Sequence, residues 1–540
     1  MELIKVERLD HLGVVGGVIK DLSLVELIDA RIAPSDREEI TTGVAIAAMI
    51  LNGLGFANRP ISLTPQFFEN KSVELLFGTG VRADHFNRFK LGRSLDKVFA
   101  YGCDVLFSEI ALSVCDQEGI ACQFNCLDTT SFSLYGDYVP ETDEQAITIS
   151  HGYSKDHRPD LKQAILELVV SQDGGMPIIS KSWDGNAGDN TVFKKRCEAL
   201  IEQFSQSQLP RYLIADSKLY TKANAPSLGR LPFITRIPET IKAAQAAIEE
   251  AWAADCWHVI DERLSYYRVR LSHYGIDQRW LVVYSQSAEQ RANQTIEKAK
   301  AKEWGQVKKQ LFHIQAQRFE SETAAQLALN QIAKKWKYHR VSESIRHQHI
   351  QYAKKGRPTV NTPIRSIRCQ IHAQVVPDDA KVTADQKRRS CFVIGTSISD
   401  SLLTDKQVIE GYQGQSTVER GFRFLKDSIF FVSSLFVKKP SRIEGLLMVM
   451  TLALLVYSVA QRRMRHLLAK DDQTLPNQIG QPQQRPTLRW IFQVLEGINC
   501  VVFSVADQLR TIIVGLTDLR RLILQLFGEN VCRIYQISYP

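Results

Sequence analysis

The spacing of apolar residues divides the chain into a helical first part and a mixed second part. Up to about residue 118, apolar residues recur at intervals of three and four, as in TTGVAIAAMILNGLGF, which indicates amphipathic helices. From about residue 121, runs rich in β-branched and aromatic residues, such as QFNCLDTTSFSLYG, are typical of strands. The pattern therefore predicts an all-helical N-terminal domain over residues 1–118, followed by an α/β domain.

The elements predicted after residue 119 follow the order β-β-β-α-β-α-β. The strands are QFNCLDTTSFSLYG, KQAILELVVSQ, PIIS, RYLIADS and LPFITRIP, and NTVFKKRCEALIEQF is the first helix. This is the order of the ribonuclease H-like fold, in which acidic residues from separate strands and a late helix meet at one edge of a mixed sheet. We therefore predict the α/β class with a ribonuclease H-like core whose first part spans residues 119–239.

Residues 240–388 interrupt that core and predict an α+β insertion. Two strand-like runs, YYRVRLSHYG and QRWLVVYSQ, form a hairpin-like pair, and a long charged helical stretch follows from about residue 288 to residue 337. A basic connection, KKWKYHRVSESIRHQHIQYAKKGRP, then leads to the strand IRSIRCQIHAQVV. The core is expected to resume over residues 389–470, beginning with the strand CFVIGTSIS, and residues 471–540 are expected to form a C-terminal helical region.

Composition agrees with an ordinary folded, soluble protein. Hydrophobic residues make up 44% of the 540 residues, and the ten cysteines show no zinc-site spacing. The net charge of +8 is compatible with a polyanionic partner without requiring one. The apolar run at 446–460 is shorter than the roughly 20 residues that a membrane span needs, so we expect a helix buried in the core and no membrane partner.

Two aspartates are placed at the ends of predicted strands, where an ionised carboxylate is costly unless it is paired or binds a cation. Asp128 lies within FNCLDTTSF, and Asp216 ends YLIADSK. A single such residue is more often a cap or turn residue. Two at matching ends of strands in one predicted sheet favour a site for a hard cation.

A third carboxylate is predicted on the helix QVIEGYQGQSTVERGFRFLKDSIF. At 100° per residue one face carries five polar side chains, Tyr412, Gln415, Glu419, Arg423 and Lys426. An apolar seam lies beside that face. Two glycines within the segment lower helix propensity by about 1 kcal/mol each, so the helix is expected to kink there or to begin after them. An ordinary surface network on an amphipathic helix is the alternative.

These motifs together resemble bacterial insertion-sequence transposases of the DDE class, which carry a Y-R-E-K signature and a β-rich insertion between the second Asp and the Glu. Tyr412, Glu419 and Lys426 match that signature, whereas Gln415 stands at the position of its Arg. The resemblance extends to LDTTSFSLYG, HGYSKDHRPDLKQ, IADSKLYT and PTLRWIFQVLEGI, and so to most of residues 120–500.

The resemblance implies a metal-dependent cut-and-paste transposase. Asp128, Asp216 and Glu419 would be the catalytic, metal-binding carboxylates, holding two Mg²⁺ ions for which Mn²⁺ is a substitute. Tyr412 and Lys426 would contact DNA phosphates, and either Arg420 or Arg423, the latter on the same face, would compensate for the missing Arg at Gln415. The expected partner is double-stranded DNA, namely terminal inverted repeats and target DNA. A homodimer in the synaptic complex and a cytoplasmic, nucleoid-associated location are also expected.

Several alternatives stay open at this point. The segment HGYSKDHRPDL either contacts DNA near the site or is a solvated loop, and Asp189 is a turn residue or a fourth acidic neighbour. Trp280, Trp304 and Trp336 are core residues or base-stacking residues, and the basic stretch 334–357 contacts DNA or is solvated. A nuclease without strand transfer and a non-catalytic DNA-binding relative are the competing functions.

Overall fold

The computed structural model describes residues 2–56, 60–138, 146–205, 211–353, 357–360, 362–427, 437–505 and 508–539. The chain divides into two compact units. Unit 1 comprises Met1–Thr235, Ser397–Leu403 and Gln407–Pro540, and unit 2 comprises Arg236–Thr396 and Thr404–Lys406. Unit 2 thus occupies the interval in which the sequence predicts an insertion.

The first part of unit 1 consists mainly of helices but begins with a strand. Its elements are β1 (Glu2–Arg8), α1 (Leu12–Asp21), α2 (Leu24–Asp29), α3 (Thr42–Leu54), α4 (Thr64–Phe68), α5 (Val73–Phe77), α6 (Arg88–Tyr101) and α7 (Cys103–Gln117). The expectation of an all-helical N-terminal domain is therefore wrong at β1. The partner of β1 is an antiparallel strand at 499–505 near the other end of the chain, a pairing that no local periodicity reveals.

A mixed five-stranded sheet lies at the centre of unit 1. Its elements are β2 (Phe124–Leu134), β3 (Lys162–Ser171), β4 (Pro177–Trp183), α8 (Asp189–Ser205), β5 (Tyr212–Ala215), α9 (Ala225–Leu228) and β6 (Phe233–Ile237). The strand order is β4-β3-β2-β5-β6. β3 runs antiparallel to β2 and to β4, whereas β2, β5 and β6 are mutually parallel. The parallel strands are short apolar runs because they are buried on both faces.

Unit 2 contains a four-stranded antiparallel sheet and a separate hairpin. Its elements are α10 (Lys242–Ala254), β7 (His258–Val259), β8 (Leu264–His273), β9 (Ile276–Ser285), α11 (Gln286–Ala316), α12 (Glu322–Ala333), β10 (His339–Tyr352), β11 (Ile364–Pro377), α13 (Asp379–Arg389) and β12 (Cys391–Thr396). The sheet has the order β12-β9-β8-β7, and β10 pairs with β11.

The charged helical stretch predicted from about residue 288 to residue 337 contains two helices, α11 and α12. One prediction in this region needs correction. The basic connection is the strand β10, which lacks the alternating burial of an ordinary strand because most of it is exposed on both faces. The run CFVIGTSIS is the strand β12, which pairs antiparallel with β9.

The last part of the chain returns to unit 1. It contains α14 (Asp405–Gln413), α15 (Ser416–Leu425), α16 (Pro440–Lys470), β13 (Leu475–Pro476), β14 (Pro482–Gln483), α17 (Leu488–Val494), β15 (Asn499–Val505), β16 (Gln508–Val514), α18 (Asp518–Gln525) and α19 (Glu529–Ile534). The C-terminal region is therefore not purely helical, since β15 pairs with both β1 and β16.

Helix α16 contains the apolar run that resembles a membrane span. By length and hydropathy it is the one helix among the described residues that would suffice to cross a membrane. However, 83% of its most apolar 18-residue window is buried inside the protein. Burial on nearly all sides explains why its apolar residues show no amphipathic period, and it is the environment of a core helix.

Candidate catalytic site of unit 1

Asp128 and Asp216 lie side by side on two adjacent parallel strands. In the register of β2 and β5, Leu127 pairs with Ala215, so each aspartate follows directly after a paired residue. Neighbouring strands are about 4.8 Å apart, and side chains at matching positions of parallel strands point in the same direction. The sheet therefore brings together the two carboxylates that the sequence predicts to meet.

Backbone groups hold both carboxylates in place. The Thr129 N–H donates to Asp128 Oδ1 at 2.7 Å, and the Ser217 N–H donates to Asp216 Oδ1 at 2.6 Å. In the second case the aspartate caps a short 3-10 helix, Ser217–Leu219. Carboxylate oxygens held in place in this way are suitable ligands for a hard cation.

A small cavity of about 20 Å³ lies between the two aspartates. Its lining residues come from β2, α8 and the turn after β5: Leu127, Asp128, Thr129, Val192, Asp216, Lys218 and Leu219. That volume suffices for one water molecule or one small cation. The two oxygen donors and the size of the cavity therefore fit a hard divalent ion at this place.

Lys155 extends from the loop between β2 and β3 towards Asp128. Its ammonium donates to the carbonyl oxygen of Thr129 at 2.6 Å and to the Thr129 hydroxyl at 2.7 Å. It lies 3.9 Å from Asp128 Oδ1. The structure thus places Lys155 of the HGYSKDHRPDL segment beside the two aspartates.

The helix that carries Glu419 is broken, not continuous. α14 ends at Gln413 and α15 begins at Ser416, so Tyr412 lies on a different helix from Glu419 and the five polar residues are not carried by one continuous helix. Gly414 lies in the break. A Cβ atom there would come within 2.2–2.5 Å of the amide end of the Gln172 side chain, which would have to move. The sequence anticipates a kink at the glycines but not this contact.

The break positions α15 along β2. The Cys126 thiol donates to the carbonyl oxygen of Gly414 at 3.7 Å, and the Lys426 ammonium lies 5.7 Å from the centre of the Phe132 ring. Burial raises the pKa of Cys126 to about 12, which keeps the proton on the donating thiol. Both ends of α15 are thus attached to residues of β2 that share a face, because side chains alternate along a strand.

The position of Glu419 relative to Asp128 can be estimated from distances along β2 and α15. Six strand residues from Cys126 to Phe132 span about 20 Å, and twelve residues from Gly414 to Lys426 span about 18 Å of helix. Glu419 therefore lies about 7–8 Å along the helix, close to the level of Asp128 at about 7 Å along the strand. The carboxylate itself is exposed and does not line the cavity. Within the described residues, no three His, Cys, Asp or Glu side chains are grouped closely enough to hold a metal ion.

The predicted DNA-binding residues occupy different environments. Lys426 forms an ion pair of 2.6 Å with Asp156, so its charge is already matched within the protein. Gln415 is the N-cap residue of α15 and Tyr412 is half-buried on α14. Arg423 is exposed on α15. The structure thus separates Arg423, which faces solvent, from Lys426, which is engaged by the loop that also carries Lys155.

A buried ion pair joins β3 to α8, the helix that contributes to the cavity, and the sequence analysis did not predict it. Glu167 on β3 is completely buried and accepts hydrogen bonds from Arg196 Nε at 2.7 Å, Arg196 Nη2 at 3.1 Å and Trp183 Nε1 at 2.8 Å. Arg196 belongs to α8, the helix whose Val192 lines the cavity. The signal in the sequence was a lone glutamate inside the apolar strand KQAILELVVSQ.

The tryptophans singled out in the insertion are structural residues. Trp280 is completely buried, and its indole N–H donates to Gln278. Trp336 is 5% exposed and donates to Gln310, and Trp304 stacks on His339. The alternative that they are core or packing residues therefore fits better than base stacking. The side chain of Asp189 lies outside the described residues.

Comparisons with known proteins define the class of this site. Residues 123–456, more than half of the chain, match the family described as the transposase DDE domain. Residues 4–112 match a second family, described as a domain of unknown function (DUF4277). The chain therefore belongs to the transposase DDE domain family, as the sequence motifs predict.

Similarity to individual proteins is much weaker. No curated protein is significantly similar to this chain in sequence. Among solved structures, the cryo-electron microscopy structure of a piggyBac transposase synaptic complex with hairpin DNA shares 9% sequence identity, with a TM-score of 0.34. The similarity covers 91% of this chain and 83% of that chain.

Proposed function

We propose that this protein is a metal-dependent DNA transposase that cleaves the ends of an insertion sequence and joins them to target DNA. The observation that carries the proposal is the pair of aspartates at matching positions of β2 and β5, which share one small cavity. Membership of the transposase DDE domain family supplies the reaction class. Double-stranded DNA is the substrate, both as terminal inverted repeats and as target.

The topology of unit 1 supports a ribonuclease H-like core. Three antiparallel-connected strands are followed by a helix and by two parallel strands, in the order β4-β3-β2-β5-β6. In that arrangement the first strand lies at the centre of the sheet, and the fourth strand runs beside it in the same direction. Asp128 on the first strand and Asp216 after the fourth are therefore neighbours by virtue of the topology alone.

Asp128, Asp216 and Glu419 would hold the divalent ions, with Asp128 between its two partners. Bound Mg²⁺, or Mn²⁺ in its place, supplies activation of the attacking oxygen and stabilisation of the leaving oxygen during displacement at phosphorus. Glu419 lies at the level of Asp128 along β2 but faces solvent. We infer that its carboxylate joins the aspartates once DNA and metal add their charges to the site.

The chain's own residues account for orientation and charge around the scissile phosphate. Water attacks phosphorus in the cleavage step, and the 3′-oxygen leaves and gains a proton. That 3′-hydroxyl then loses its proton as it attacks a target phosphodiester, and the 3′-oxygen of the target strand leaves and gains a proton. Lys155 lies beside Asp128, where an ammonium would neutralise a phosphate oxygen. Arg423, with Tyr412 and Gln415 nearby in the chain, is proposed to bind DNA phosphates, and Lys426 would do so only after release from Asp156.

Strand cleavage tests the assignment. The full chain is incubated with Mg²⁺ and a duplex that carries the sequences flanking the coding region, and nicked and joined products are separated on denaturing gels. Asp128→Asn, Asp216→Asn and Glu419→Gln are each expected to lower nicking at least a thousandfold while duplex binding persists. Asp36→Asn, which removes an exposed carboxylate far from the site in sequence, serves as the matched control and should cleave like the wild type.

The alternative functions give different products in the same assay. A nuclease without strand transfer would nick the duplex but leave no end joined to a target plasmid. A non-catalytic DNA-binding relative would bind and never nick. Undiminished nicking by Glu419→Gln would remove Glu419 from the site, whatever the other two variants do. Synapsis of two ends calls for a homodimer, which light scattering of the DNA-bound protein would reveal, and a cytoplasmic, nucleoid-associated location follows from the substrate.

A further inference from the structure

Unit 2 carries a long two-stranded ribbon, defined here as β10 and β11 together. Each strand has 14 residues, and the two pair antiparallel from His339–Pro377 to Tyr352–Ile364. At about 3.3 Å per residue the ribbon is about 46 Å long. Such a length is unusual for an isolated hairpin, which is at best marginally stable in water without packing on one face.

Helices cover only part of one face of the ribbon. Cys369 and Ile371 of β11 are buried in a cluster with residues of α11 and α12. The opposite face, called here the outer face, consists of the cross-strand pairs Ile345–His372, His347–Gln370 and His349–Arg368. Five of these six side chains are exposed, and Gln370 is intermediate. The outer face is thus a continuous strip of hydrogen-bonding side chains with a single apolar member.

Basic residues predominate along most of the ribbon and its connecting turn. Glu343, near the start of β10, is exposed, but from Ser344 to Pro377 the sequence contains no Asp or Glu. The same stretch contains six Lys or Arg residues and three His residues. The chain as a whole has 59 acidic residues in 540, so a stretch of this length would ordinarily contain several. A surface with such an excess of basic residues attracts polyanions.

The arginines of the ribbon differ in whether their charge is already matched. Arg346 points to the covered face, where it donates to Gln326 at 3.0 Å and lies 3.8 Å from Glu322. Arg365 and Arg368 are exposed, and among the described residues neither has an acidic partner. Two unmatched guanidinium groups on one strand are therefore available to an external anion.

We propose that the outer face of the ribbon binds duplex DNA by lying in its major groove. The groove is about 12 Å wide and admits a two-stranded ribbon. Arg368 on the outer face and Arg365, at the irregularity where Gln351 pairs with Ser366 and Tyr352 with Ile364, would reach phosphates while the His and Gln side chains face base edges. The exposed part from Ile345 to Tyr352 is about 26 Å long, enough to follow seven or eight base pairs. The inference rests on the proposed function only in taking DNA as the partner.

Salt-dependent binding tests this proposal separately from catalysis. A fluorescently labelled 30-base-pair duplex is titrated with the full chain, without divalent metal, at several KCl concentrations. Each phosphate contact contributes about 0.9 to the slope of log K against log salt. At about 0.1 M salt, relative to about 1 M, one contact therefore raises the affinity about eightfold. Arg365→Ala/Arg368→Ala is therefore expected to weaken binding roughly sixtyfold and to lower the slope by about 1.8.

Two further variants make the result specific. Arg346→Ala removes an equal charge from the covered face of the same ribbon, and it should bind within about twofold of the wild type because its charge is already engaged. Arg365→Lys/Arg368→Lys keeps both charges and should restore the slope. Unchanged affinity and slope in the double alanine variant would overturn the proposal. An equal loss of duplex affinity in Arg346→Ala would also overturn it. So would tighter binding of single-stranded than of duplex DNA by the wild type, if the double alanine variant lost that preference and Arg346→Ala kept it.

The nicking assay keeps the two proposals apart. At protein concentrations that saturate the DNA, the double alanine variant should nick at the wild-type rate, because the ribbon provides affinity and not chemistry. Asp128→Asn should show the reverse, with wild-type binding and no nicking. If the wild type itself binds through the ribbon but never nicks, the proposed function fails and the ribbon assignment stands.

Discussion

Arg196→Met tests how the structure supports the site from within. Glu167 is 0% exposed, and Arg196 provides two of the three hydrogen bonds that its carboxylate accepts. Methionine retains much of the apolar stem of arginine but leaves the carboxylate with only the Trp183 indole N–H. Breaking one side of a buried, hydrogen-bonded pair costs about 3–5 kcal/mol, because a buried charge is left uncompensated.

The paired variant separates the loss of a charge partner from a loss of packing. Glu167→Leu/Arg196→Met removes both charges, so no ion stays buried alone. Its only new cost is the unsatisfied Trp183 N–H, about 1–3 kcal/mol, partly offset by the buried leucine. The double variant is therefore expected to be more stable than Arg196→Met although it carries one more substitution.

Equilibrium unfolding in urea, followed by circular dichroism, measures both differences. The free energy of unfolding should be highest for the wild type, lower for the double variant and lowest for Arg196→Met. An Arg196→Met protein within about 1 kcal/mol of the wild type would refute the reasoning, because the cost of an uncompensated buried carboxylate would then be absent. A double variant less stable than Arg196→Met would show that the pair contributes net stability through its geometry.

Three further predictions concern pH and the break before α15. Burial raises the pKa of Glu444 from 4.5 to about 7. The protonated carboxyl therefore contributes its full stability below pH 4.5, and that contribution is lost as the pH rises to 7. Across this window, urea unfolding should show the free energy of unfolding of Glu444→Gln rising relative to the wild type by up to about 3 kcal/mol. Burial lowers the pKa of His11 from 6.5 to about 4, so the wild type should lose stability as pH falls from 6.5 to 4, and His11→Phe should show a flatter thermal-unfolding profile there. Gly414→Ala would drive a methyl group into the Gln172 side chain, and it should lower the rate of nicking at least tenfold. The double variant Gly414→Ala/Gln172→Ala should recover most of the activity. Full activity in the single variant would mean that nicking does not depend on the present position of α15.

Local sequence signals were sufficient for the strands that carry the aspartates. Apolar, β-branched runs predicted β2, β3, β4 and β5. Asp128 was singled out because it lies within such a run, and Asp216 because it ends one. Their proximity also followed, because residues at matching positions of neighbouring parallel strands must lie close together. The family motifs around them pointed to the class of enzyme that the family match supports.

Long-range contacts decided what the sequence could not. β1 exists because β15, about 490 residues later in the chain, provides its hydrogen-bonding partner. The break before α15 arises where Gly414 meets Gln172, and the ion pair of Glu167 with Arg196 joins a strand to a helix. Periodicity describes one element at a time and holds no information about which side chain a distant element will place against it.

The sequence by itself therefore predicted which residues are candidates for the chemistry, since a carboxylate within an apolar run has few alternatives to pairing or binding a cation. Tertiary structure alone decided how those residues are presented: Asp128 and Asp216 share a cavity, Glu419 faces solvent, and Lys426 is engaged by Asp156. It also turned a basic stretch that looked like a connection into a strand that is exposed over most of its length. The physical reason is that burial and charge pairing depend on which surfaces meet, and only the folded chain establishes that.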